Sequence, residues 1–224
     1  MTTLYHGSKD IIRTPEYGKG KLYNDYGLGF YCTENPDLAK EWAVDSRRNG
    51  FANIYEIDES KISVMRFDSP EYSILNWLAV LLENRQFNTT SPLSLEGKEY
   101  IIKNFMVDYR SYDAIVGYRA DDSYFTFAQD FLSGTISLRQ FSSAMHLGSL
   151  GLQFVLKSRK AFEILEFKGY EKALFASWYK KKENRDSAAR RDYLYSDKNR
   201  RIKGDIFITQ IIDEEMKNGD ERLR

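Results

Sequence analysis

One cysteine, Cys32, and two histidines, His6 and His146, are all that 224 residues offer of either type. That scarcity excludes an internal disulfide and a cysteine-built metal cluster, and it leaves a zinc site short of ligands. No apolar run approaches the roughly 18 residues that spanning a bilayer requires. The opening MTTLYHGS lacks the basic and apolar regions of a signal peptide. Net charge is missing as well, since Lys+Arg and Asp+Glu are both 33, so the overall balance points to no polyanionic partner. No internal repeat or low-complexity linker divides the chain. These absences predict a soluble, cytoplasmic protein with no membrane partner.

What is present is material for a core: 42% hydrophobic residues, with 16 Tyr and 14 Phe, which argues against disorder. Short β-prone runs are predicted as strands at Thr3–His6, Phe30–Thr33, Ala52–Ile57, Ile62–Phe67, Ala114–Tyr118, Leu152–Leu156 and Glu163–Phe167. Residues 7–29 hold five glycines and a proline and read as a long functional loop. Asn35-Pro36 caps a helix running to about Arg47, and Ser69-Pro70 opens another by the same logic. Asn84–Glu96 reads as a polar turn region containing a fortuitous sequon at Asn88-Thr89-Thr90, before a helix over Gly97–Asp108 and further helices near 123–133 and 137–147. An α+β domain over residues 1–172 with a helical extension over 173–224 is expected.

Two motifs carry chemistry. His6-Gly7-Ser8 closes a strand with an imidazole that can bond a ribose hydroxyl and a glycine whose bare backbone admits a flat ligand; a turn glycine beside a satisfied histidine is the plainer alternative. Gly27-x-Gly29-Phe30-Tyr31-Cys32-Thr33, followed by Trp42 on the next helix, offers two rings able to clamp a third, or simple core packing. Cys32 itself reads as a small buried residue. Asp121-Asp122, after an apolar strand, forms either a pair of working carboxylates or a helix cap.

Together, LYHGS and YGLGFYCTENPDLAKEWA resemble the NAD-binding core of ADP-ribosyltransferases of the diphtheria-toxin and poly(ADP-ribose) polymerase type, over about residues 3–45. An uncharacterised bacterial group of that kind pairs the segment with an Ala-Asp-Asp motif, as at Ala120 to Asp122. The resemblance implies a split, mostly antiparallel sheet with NAD as substrate in its cleft. It implies that His6 holds the adenine-side ribose, Gly7 backbone pairs with the carboxamide, and Tyr31 and Trp42 sandwich the nicotinamide, with Ser8, Gly29 and Thr33 completing the binding set. Where polymerase members place a carboxamide-binding serine this chain has Ala39, and Thr33 is one group that can substitute. The family's late-strand glutamate falls at Gln153, which keeps a hydrogen bond and loses a charge, so Gln153, Asp121 and Asp122 are the candidate catalytic residues.

The expected reaction moves ADP-ribose from NAD to a protein or nucleic-acid acceptor. Alternatives are NAD hydrolysis and a degenerate binding module. A role as a toxin or phage-defence effector, with an antitoxin partner, is implied by the resemblance alone. Residues 180–203 carry ten Lys/Arg against four Asp/Glu, interleaved with or next to Trp178, Tyr179, Tyr193 and Tyr195. That composition suits RNA or DNA contact across 178–203, or a solvated helix face.

Overall fold

The structure, a computed structural model, describes residues 1–87, 91–120, 122–147, 151–195 and 200–223. The strands are β1 (Thr2–Ser8), β2 (Phe30–Cys32), β3 (Gly50–Ile57), β4 (Val64–Arg66), β5 (Ala114–Tyr118), β6 (Leu152–Leu156) and β7 (Glu166–Ala173). The helices are α1 (Pro36–Ala43), α2 (Ile74–Asn84), α3 (Pro92–Phe105), α4 (Asp122–Leu132), α5 (Leu138–Ala144), α6 (Arg159–Glu163), α7 (Phe175–Tyr195) and α8 (Ile208–Asp213). The fold is mixed α+β, with two mostly antiparallel sheets in the orders β1-β3-β7 and β2-β6-β5-β4; only β4 and β5 run parallel. Among the described residues no helix is long and apolar enough to cross a membrane.

The second sheet is apolar on both faces because both are covered. Period-two alternation sends Phe30, Cys32, Val116 and Phe154 toward Leu4 and Tyr55 of the first sheet. It sends Tyr31, Ile115 and Val155 toward the helices, chiefly α2, which is buried almost all round. Gln153 shares the face of Val155, two residues along the same strand. The sheets meet at one isolated bridge, where Tyr5 N–H donates to Thr33 O at 2.7 Å and Thr33 N–H to Tyr5 O at 2.9 Å.

Local chemistry shifts several expected boundaries. Asn35 caps α1 as the sequence predicts, accepting from the N–H groups of Asp37 and Leu38 at 2.9 and 3.3 Å. The helix stops at Ala43 rather than near Arg47, because the Asp45 carboxylate takes the Arg47 N–H and the Arg48 guanidinium and closes a local turn instead. Helix α2 begins four residues after Ser69-Pro70, where Ser73 and Asn76 form a reciprocal capping box. Ser91 and Pro92 start α3 inside the stretch expected to be turns. Ser158 caps α6, displacing the final strand to Glu166–Ala173. The sequon at 88–90 lies outside the described residues.

Helix α1 lies against β1 and β3 at two glycines. A Cβ on Gly7 would stand 2.0 Å from Ala39 O, and one on Gly50 2.0 Å from Ala43 O. Both contacts are with backbone, which cannot swing aside. Gly7→Ala is therefore expected to destabilise the protein by about 1–3 kcal/mol through overpacking. In urea unfolding the midpoint should fall with an unchanged slope; an unaltered midpoint would show that α1 can lift without cost.

Candidate active site

Beside the bridge between the sheets lies a cavity of about 630 Å³, within the range of small-molecule sites. His6 and Gly7 of β1, Phe30 and Tyr31 of β2, Trp42 of α1 and Gln153 of β6 all line it, with Gly29 at its edge. Residues spread across 148 positions of sequence are thus brought to one place.

His6 has a fixed tautomer. Its Nδ1 lies 2.6 Å from Tyr31 O, a group that can only accept, so Nδ1 carries the proton and Nε2 is an acceptor in the neutral ring. Burial lowers its basicity, opposed by the carbonyl bond, and Phe30 stacks on it at 4.2 Å. A ribose hydroxyl at Nε2 would therefore donate to His6. Gly7 lies two residues beyond Tyr5, so its N–H and C=O point the same way, away from β3, past the point where β2 pairing ends. One donor and one acceptor side by side match a primary carboxamide.

The Tyr31 hydroxyl donates to Gly27 O at 2.6 Å and accepts from Tyr26 N–H at 3.0 Å, tying the ring to the loop before β2. Trp42 is half-buried, and the Arg119 guanidinium sits 3.8 Å from its ring centroid. A ring stacking on Trp42 must use its other face or move Arg119.

The cavity also contains an acid that the sequence did not single out. Asp25, 5% exposed, accepts from Ala120 N–H at 2.9 Å, from Gln153 Nε2 at 2.8 Å and from Arg85 at 3.3 Å. Burial pushes its carboxyl above the ordinary aspartate range; the Ala120 N–H, Arg85, Gln153 and Arg119 pull it back. The remaining wall carries Lys19, Arg85, Arg119 and Lys182, the last from α7. Helix α7 docks on α1 through Arg185 and Glu41, 2.8 Å apart and largely buried.

Other expected site residues stand apart. Ser8 bonds Asp10 O and Asn53, and Thr33 accepts from Asn35 N–H at 3.1 Å; neither lines the cavity. Asp121 lies outside the described residues, as does the side chain of Asp122, whose backbone opens α4. Cys32 is fully buried and its thiol is pushed well up by desolvation, which suits packing. In the basic segment, Tyr193 donates to Asp130 at 2.6 Å and packs on Phe127, and Lys40 and Lys181 lie over Trp178. Tyr179 packs with Trp178 on Ala43 and Val44, so three of the four rings expected to face bases are engaged within the protein.

A family model described as "Protein of unknown function (DUF3990)" matches residues 2–167. No curated protein and no solved structure matches the chain.

The loop before β2 is held by Lys157, whose ammonium donates to the carbonyls of Tyr26 and Leu28. Desolvation lowers its pKa from 10.5 to about 8. Between those values the folded state holds fewer protons than the unfolded chain, so raising the pH favours folding. Wild type should gain stability over Lys157→Met from pH 8 to 10.5. Amide exchange at residues 24–29 should be faster in the variant at every pH. A pH-independent stability difference would show that the ammonium is not desolvated.

Proposed function

Because the chain belongs to the family described as protein of unknown function (DUF3990), a description that names no activity, we propose its function from the cavity: transfer of ADP-ribose from NAD to a protein or nucleic-acid acceptor in the cytoplasm. The observation that carries this reading is convergence. His6 with Gly7, Tyr31 with Trp42, and Gln153 come from three separate stretches of sequence and line one cavity. The resemblance assigned those same positions to one ligand, and the gap between the two sheets is where a split sheet of the ADP-ribosyltransferase type would hold it.

The lining suits NAD in its parts. Gly7 backbone matches the carboxamide, while Tyr31 and Trp42 supply ring faces for the nicotinamide. The acceptor Nε2 of His6 suits a ribose hydroxyl. Lys19, Arg85, Arg119 and Lys182 offer cations to a diphosphate. In the reaction the bond between ribose C1′ and the pyridinium nitrogen breaks, and its electron pair neutralises the departing nicotinamide. An oxygen or nitrogen of the acceptor bonds C1′ and loses its proton to solvent. Holding the leaving ring and the ribose fixes the line of attack, which removes orientational entropy from the barrier. A role as a toxin or defence effector rests on the resemblance alone.

The test is incubation of the protein with adenylate-labelled NAD and separate pools of protein, RNA and DNA. Free nicotinamide should appear and one pool should take the label, with Trp42→Ala cutting both about tenfold. Intact NAD with every pool unlabelled defeats the proposal. Free ADP-ribose formed with no pool present makes water the acceptor and the protein a glycohydrolase.

A further inference from the structure

Resting on the reading above, we propose that Asp25 is a positioning residue for the transfer: it orients Gln153 and stands behind it as the negative charge that β6 itself lacks. A glutamine alone can accept from a ribose hydroxyl, but it brings no charge to a reaction in which positive charge builds on the ribose. In this cavity the charge arrives from a different element, the loop before β2.

The geometry sets the direction of the amide. Gln153 Nε2 lies 2.8 Å from Asp25 Oδ2 and 3.5 Å from Tyr118 O. An ionised carboxylate and a peptide carbonyl can only accept, so the amide nitrogen must face both. Oε1 is left as the end with no hydrogen-bond partner among the described residues, on a side chain that lines the cavity. Asp25 is itself fixed from two further sides, by Ala120 N–H at 2.9 Å and Arg85 at 3.3 Å. A charge-assisted bond at Nε2 polarises the amide toward Oε1, making it a stronger acceptor than a free glutamine. Gly117, paired with Gln153 across the strands, leaves the space that Tyr26 fills beneath the pair. Burying a carboxylate is costly unless its bonds are met, and here one of those bonds is given to the residue at the catalytic position.

The experiment compares full-length wild type, Asp25→Asn and the double variant Asp25→Asn/Gln153→Glu. It uses NAD binding by calorimetry, kcat and KM for nicotinamide release, and circular-dichroism melting. Asp25→Asn should bind NAD within threefold of wild type while kcat falls about 10²-fold, the scale of losing one preorganised electrostatic partner. The double variant returns one carboxylate to the pair, now on β6, and should recover kcat to within about tenfold of wild type. A purely structural Asp25 gives no such recovery. The inference fails if Asp25→Asn keeps kcat within threefold, or if its loss lies wholly in KM. Should Asp25→Asn not fold, Gln153→Met carries the test, since it leaves the carboxylate its other partners; an unchanged kcat there also overturns the proposal. A wild type that neither binds NAD nor releases nicotinamide overturns the parent reading instead.

Discussion

Two hydrogen bonds between Tyr5 and Thr33 join the sheets, and the cavity exists because nothing continues them. Pairing on the β2 side of β1 begins and ends at that bridge. One residue on, the His6 ring reaches Tyr31 O, so a side chain takes over where the ladder stops. Two residues on, Gly7 turns its peptide groups into the gap. Had β2 kept the register of the bridge, Tyr31 would have stood opposite Gly7 and those groups would have been consumed by a continuous sheet. The divergence of β2 from β1 past the bridge is thus what leaves a cavity in place of a continuous sheet.

Around that gap the structure is held by missing side chains as much as by present ones. Gly7 and Gly50 let α1 sit directly on the sheet, which brings Trp42 over the cavity. Gly117 makes room for the Tyr26 hydroxyl, which donates to Tyr118 O at 2.8 Å, where the Trp77 indole also donates at 3.1 Å. Lys157 grips the same loop from the other side. Residues 24–29 have no regular secondary structure and take their shape from these tertiary contacts. That is the physical reason a loop without regular structure can hold a buried acid, Asp25, at the cavity.

This division explains what could be read in advance. The strand cores, the Asn35 cap and the aromatic pair Tyr31 and Trp42 depend on neighbours a few residues away, and local pattern marks them. The reach of α1 and the start of α2 depended on particular polar side chains: Asp45, which closes a turn in place of the helix, and Asn76, which forms the capping box with Ser73. Gln153 was placed from the order of strands, and the structure buries it at 5% exposure. Asp25 was invisible. Its partners lie 60, 95 and 128 residues away, and an aspartate in a glycine-rich loop looks solvated until those partners are in place. Arg85 and Arg119 were hidden for the same reason, while Lys182, marked only as part of the basic segment, lines this cavity.

Helix α7 gives the molecule a division of labour. The residues that match the family model end at 167, whereas Lys182 and Asp186, eight and more positions into this helix's docked run, wall the cavity. Floor and wall are therefore encoded in different stretches of sequence and joined mainly by the Arg185–Glu41 pair and the packing of Trp178 and Tyr179 on Ala43 and Val44. Substitutions along α7 can reshape what approaches the opening without touching Gly7, Tyr31, Asp25 or Gln153. On the proposed reading, selectivity and chemistry become separately adjustable, and variants with altered preferences are best sought on the helix, with the two sheets left as they are.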